Sequence, residues 1–136
     1  MVNSIVYEKL NSSTDLTEVL DGLCYNFAKY EPMGKILNLE RSDLIFIFEP
    51  ILKYCASTSF VARDTLNKKI AGAIICNDFD FFMNFDGQCF NVKSEPIKHM
   101  ISLLEESFIK SCYFEGNKTY YQYATFVNND YGIDLK

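Results

Sequence analysis

Phe60-Val61-Ala62-Arg63-Asp64, then Thr65-Leu66-Asn67-Lys68, then Lys69-Ile70-Ala71-Gly72-Ala73-Ile74-Ile75-Cys76-Asn77-Asp78 decide how this chain is read. Val, Ile and Phe on both sides favour a pleated backbone, and Leu66-Asn67-Lys68 supplies a short polar break, so the stretch predicts two strands and a tight connection. Two apolar helical segments precede it. In the first, Leu16, Val19, Leu20, Leu23, Cys24 and Phe27 recur at helical spacing. The cluster Asn11 to Asp15 offers an N-cap, with Glu18 three residues after Asp15, and Lys29 suits the C-terminal end of the dipole. Pro32 and Gly34 are expected to stop that helix.

The second helix is predicted over Arg41 to Cys55. Leu44, Ile45, Phe46, Ile47, Phe48, Ile51 and Leu52 make it apolar on nearly all sides, which implies deep burial or a partner surface. Pro50 should kink or divide it. Ser57 to Ser59 reads as the turn before the strand pair. Ser4 to Leu10 is a short strand ahead of the helices, and Asp78 to Val92, rich in Phe and Asp, has no clear period and reads as a long loop. Ser94-Glu95-Pro96 opens a third helix with Ser94 as cap and Pro96 in the first turn. Ile97, Met100, Ile101, Leu104 and Phe108 form its apolar stripe, Glu115 to Lys118 is a turn, and Thr119 to Asn128 reads as the last strand. The order is β-α-α-β-β-α-β: an α+β chain with a mostly antiparallel sheet flanked by helices.

The bulk composition fits one domain, residues 1–136, with 49% apolar and 23% charged residues. A net charge of −5 argues against nucleic acid, whose phosphates need a basic surface. No apolar run is long enough for a membrane-spanning helix, and no basic segment leads an apolar one as in a signal peptide. The five cysteines, Cys24, Cys55, Cys76, Cys89 and Cys112, contain no CxxC pair and sit among apolar neighbours. They read as reduced thiols of a cytoplasmic protein. No ligand spacing for a metal accompanies the single His99, which is expected on the exposed side of its helix. Asp78 and Asp80 lack a third ligand.

Taken together, the order and several short motifs resemble the GNAT superfamily of N-acetyltransferases, most closely its arylalkylamine and dopamine group. The matching residues are Phe27-Ala28-Lys29-Tyr30-Glu31-Pro32-Met33 at the end of the first helix and Ser59 to Asp64 in a strand. Ile70-Ala71-Gly72-Ala73 matches in the next strand, and Pro96-Ile97 with Leu103-Leu104-Glu105 in the third helix. The resemblance covers residues 4 to 128 and implies an acyl-CoA N-acyltransferase-like fold. It also implies transfer of an acetyl group from acetyl-CoA to a primary amine. It assigns the role of general base to Glu31, which partial burial would suit to taking a proton from an ammonium. It assigns the backbone of Phe126 and Val127 to the pantetheine arm. The chain departs from the family after Ala124-Thr125-Phe126-Val127. Asn128 to Lys136 holds one glycine and no arginine or glutamine opening a phosphate loop, so the C-terminal half of the fold is expected to be missing. This leaves open a truncated or split enzyme and a non-catalytic domain that works by protein–protein association. An open edge at the fourth strand, or the apolar second helix, would then serve a homodimer or a second chain. The aromatic residues Phe79, Phe81, Phe82 and Phe85, with Tyr25 and Phe27 near Glu31, read either as core plugs or as the walls of an amine pocket.

Overall fold

The computed structural model describes residues 4–10, 13–78, 92–111 and 120–128. Its elements are β1 (Ile5–Lys9), α1 (Ser13–Tyr30), α2 (Pro32–Ile36), α3 (Arg41–Cys55), β2 (Phe60–Asp64), β3 (Ile70–Asp78), α4 (Glu95–Ser111) and β4 (Tyr120–Val127), with a 3-10 turn over Ala56–Thr58. The strands form one antiparallel sheet in the order β1-β2-β3-β4. The architecture is therefore α+β, as the alternation pattern predicts.

The period of two in β2 and β3 sends Val61, Ala73 and Ile75 inward, where α1 and α3 cover them. Phe60 and Ile74, opposite each other on the other face, stay partly exposed. From α1 come Val19, Leu23 and Cys24, and from α3 Leu44, Phe48, Ile51 and Cys55, all in one buried cluster with Leu10, Ile97 and Phe126. Each large aliphatic side chain there contributes roughly 1.5–3 kcal/mol by leaving water.

Polar groups fix how the helices sit on this sheet. The Asp15 carboxylate accepts from the Arg63 guanidinium at 2.7 Å, and Glu18 accepts from the Ile70 backbone N–H at 2.8 Å. Arg63 also donates to Glu8 at 3.2 Å and to the Lys68 carbonyl at 2.8 Å. One guanidinium thus joins β1, β2, the β2–β3 turn and the first turn of α1. At the other end of α3, the buried Ser59 hydroxyl donates to the Cys55 carbonyl at 2.6 Å and accepts from the Cys76 N–H at 3.1 Å. Ser59, expected as a plain turn residue, therefore satisfies a helix-end carbonyl and a strand amide together.

The first helix stops ahead of Pro32 as expected, closing at Tyr30, and Pro32 goes on to open a separate short helix. Proline suits a first helical position, since no N–H is needed there. Gly34 is buried in it because a Cβ would overlap the Phe27 carbonyl oxygen. Pro50 does not divide α3, which runs unbroken through it. The carbonyl deprived of its donor belongs to Phe46, which is 58% exposed and can be hydrated. Nor is α3 buried all round, because Phe46 and Tyr54 face outward. The third predicted helix, α4, carries its stripe as expected, but only part of it packs. Ile97 is buried and Ile101 partly so, while Met100, Leu103, Leu104 and Phe108 are 41, 55, 64 and 40% exposed.

The strand partners slip once on each side of β3. Between β3 and β4, Ile75 faces Ala124 while Cys76 faces Gln122, so Tyr123 is an extra residue on β4. Such a bulge turns a side chain away from strict alternation. The Asp78–Val92 loop from residue 79 to 91, with Phe79, Phe81, Phe82, Phe85 and Cys89, lies outside the described residues. So do Cys112, the Glu115–Lys118 turn and residues 129–136.

Candidate functional site

A cavity of about 510 Å³ opens between the C-terminal turn of α1, the start of α2, the first half of α4 and the wall of β4. Its floor is apolar, with Leu23, Phe27, Phe48, Ile97, Ile101 and Phe126. The Phe27 and Phe48 rings meet edge to face with centroids 5.7 Å apart, which holds that floor at a fixed geometry. Polar groups come from two sides. Asn26, Tyr30 and Glu31 lie on the α1 side, and Tyr123 and Thr125 on β4.

The Asn26 amide donates to the Gly22 carbonyl at 2.8 Å, and the Thr125 hydroxyl donates to the Ala73 carbonyl at 3.0 Å. Glu31 precedes Pro32 and takes the extended backbone that this position enforces (φ −73°, ψ 125°). Its N–H donates to the Phe27 carbonyl at 3.2 Å, so the residue is anchored by its backbone while its side chain is exposed. Beside it, the Lys29 ammonium donates to the Tyr25 hydroxyl at 2.8 Å. It stands 5.2 and 5.3 Å from the centroids of the Tyr25 and Tyr30 rings. That contact holds the cation on the Tyr25 side.

Two solved structures share this arrangement of elements. The condensation domain at the C-terminus of Ebony, in complex with beta-alanyl-dopamine, superposes with a TM-score of 0.77 at 18% identity, over 96% of this chain and 61% of that one. A putative arylalkylamine N-acetyltransferase from the yellow fever mosquito superposes with a TM-score of 0.66 at 16% identity, over 93% of this chain and 54% of that one. The fold is GNAT-like. No protein-family model and no curated protein matches the sequence. The chain spans under two thirds of the length of either GNAT-like structure.

Within this GNAT-like fold the residues singled out from sequence separate. Glu31 and Phe126 both line the cavity. Glu31 is exposed rather than half-buried, since it stands at the mouth and not on the floor. Val127 is 55% exposed, does not line the cavity, and pairs with Gly72. Phe27 is part of the floor, whereas Tyr25 does not line the cavity and meets Tyr30 edge to face. Asn26, Met100 and Tyr123 line the cavity without having been picked out for it from sequence. Helical spacing of three from Leu23 and from Phe27 could have found Asn26 and Tyr30. Nothing local marks Tyr123, because its position depends on the β3–β4 register. Among the described residues no group of three or more His, Cys, Asp or Glu could hold a metal, and His99 is exposed.

Burial pushes the Cys24 and Cys55 thiols up to about 11, and the Cys76 thiol upward as well. None of the three is suited to nucleophilic work at neutral pH. No helix among the described residues is long and apolar enough to cross a membrane.

Proposed function

We propose that this chain carries the amine-binding side of a GNAT-type N-acetyltransferase, with the cavity between α1, α4 and β4 as the amine site. The observation that supports this most directly is the pairing of an aromatic floor with a carboxylate at the mouth, on a GNAT-like fold. A primary amine is an ammonium near neutral pH and cannot attack until it loses a proton. Glu31 accepts that proton, directly or through a water. Acetyl-CoA supplies the acetyl group as a thioester. The amine nitrogen bonds to the acetyl carbon as the carbon–sulfur bond breaks, and the thiolate leaves with the electron pair.

The outer edge of β4 fits the pantetheine arm. Among the described residues it pairs only with β3, and Tyr120–Val127 carries no charge and no proline, so its peptide groups can meet amides. In this reading the Phe126 and Val127 backbone holds that arm. Free thiols at Cys24, Cys55 and Cys76 support a cytoplasmic setting.

A second reading is favoured by the four exposed apolar residues of α4, Met100, Leu103, Leu104 and Phe108. A domain acting by association, as a homodimer or with a second chain, would bury them. Calorimetric titration of the full chain with acetyl-CoA, and separately with a primary aromatic amine, tests the first reading. Micromolar heats are expected. Absence of both, with a dimer in sedimentation, would replace it with the second.

A further inference from the structure

Among the described residues, helix α4 packs against the body through its first turns. Ile97 is buried and Ile101 partly so, and both line the cavity. Met100, Leu103 and Leu104 lie together on an exposed side of the helix. Along the flank of that side runs a row of exposed polar residues, Glu95, His99, Glu106 and Lys110. Their spacings of four, seven and four keep them in line at helical pitch. Lys110 donates to Glu106 at 2.7 Å within the row, and both side chains remain mostly in water. The row has a symmetry of its own. Glu95 and Lys110 are centred on the point between Ser102 and Leu103, and so are His99 and Glu106. A copy of the helix turned end over end about that point sets each carboxylate against a nitrogen donor.

We infer that this side of α4 is an interface for a second copy of the chain, docked antiparallel about a two-fold axis between Ser102 and Leu103. The inference rests on the association reading and names both its partner and its register. In that register Lys110 meets the partner's Glu95, Glu106 meets the partner's His99, and symmetry makes each contact twice. An imidazole can donate to a carboxylate whether neutral or protonated. Leu103 falls beside the partner's Leu103, and Met100 beside the partner's Leu104. Opposed helix dipoles favour the same direction. A parallel pair would instead set Lys110 against Lys110 and Glu106 against Glu106. The 17-residue helix is roughly 25 Å long. One such helix pair falls at the low end of specific interfaces, below about 1,200 Å², so the dimer is weak and depends on concentration. Met100 also lines the cavity, so the second copy backs that wall from outside.

The test is sedimentation of the full chain up to high micromolar concentration, with three variants at exposed positions. Wild type is expected to dimerise, and Leu103→Glu to abolish the dimer. Glu95→Lys and Lys110→Glu should each weaken it about tenfold by placing like charges together. Mixing those two variants in equal amounts should restore wild-type affinity, because each contact between positions 95 and 110 then joins opposite charges again. An effect confined to the helix itself would not be rescued by mixing. Wild type that stays monomeric overturns the inference together with the homodimer form of the association reading. A dimer that survives Leu103→Glu keeps that reading and overturns this inference. Charge reversals without effect, or a mixture no tighter than its components, overturn it as well.

Discussion

The Phe126 ring occupies the space that a side chain on Gly22 would need: a Cβ at Gly22 would lie 2.5 Å from its Cε2. Helix α1 can therefore approach β4 closely, and the ring is held against the cavity by a glycine in mid-helix. Gly22→Ala gains helix propensity of about 0.5–1 kcal/mol but overpacks the contact at about 1–3 kcal/mol. A net loss of about 1 kcal/mol is expected in urea denaturation. Because the ring lines the cavity, its displacement should reduce amine affinity as well as stability. Unchanged affinity would show that the ring yields elsewhere.

Glu31 is exposed and makes its hydrogen bond through the backbone, so Glu31→Gln should leave stability within about 0.5 kcal/mol. If it takes the ammonium proton, acetyl transfer followed by thiol release should drop by about a hundredfold or more. An unaltered rate would remove Glu31 from the reaction.

Arg63 and Asp15 are paired at 2.7 Å with side chains only 16 and 11% exposed. Arg63→Ala takes the guanidinium from that carboxylate and also releases Glu8 and the Lys68 carbonyl. A loss of about 3 kcal/mol is expected. The Arg41–Asp21 pair, exposed on both sides, should contribute far less because water screens it. Double-mutant cycles on the two pairs measure the contrast directly.

Ser59→Ala takes the hydroxyl from between the Cys55 carbonyl and the Cys76 N–H in a fully buried position. A cost of about 1–3 kcal/mol follows from leaving those groups short of a partner. Hydrogen exchange should locate the loss at the α3–β3 junction.

Cys24 and Cys55 hold their protons to about 11 in the folded chain, against an ordinary value of 9.0. Between those values the unfolded state binds fewer protons than the folded one. Their contribution to stability is therefore intact below pH 9 and is lost as pH rises toward 11. At pH 8, iodoacetamide followed by mass spectrometry should modify the half-buried Cys76 ahead of both.

Strands β2, β3 and β4 and the bounds of α3 were legible because each is a local matter of period and breaker residues. The reach of Asp15 and Glu18 to the sheet was not legible, because their partners Arg63 and Ile70 lie far along the chain. Pro32 marked the end of the first helix correctly, but that it also opens a second one was not read from it. In the site, the Glu31-Pro32 motif pointed to a residue that does line the cavity. Tyr123 was invisible because it depends on a one-residue slip between β3 and β4.

The walls of the cavity come from α1, α4 and β4, which are widely separated in sequence. Closing such contacts requires long stretches of chain to be brought together first, and this is the slow part of folding. The binding site therefore exists only once the last strand has docked. A ligand that recognises it has little to hold in the transition state, so saturating ligand should lengthen the lifetime of the native chain while leaving its folding rate nearly unchanged.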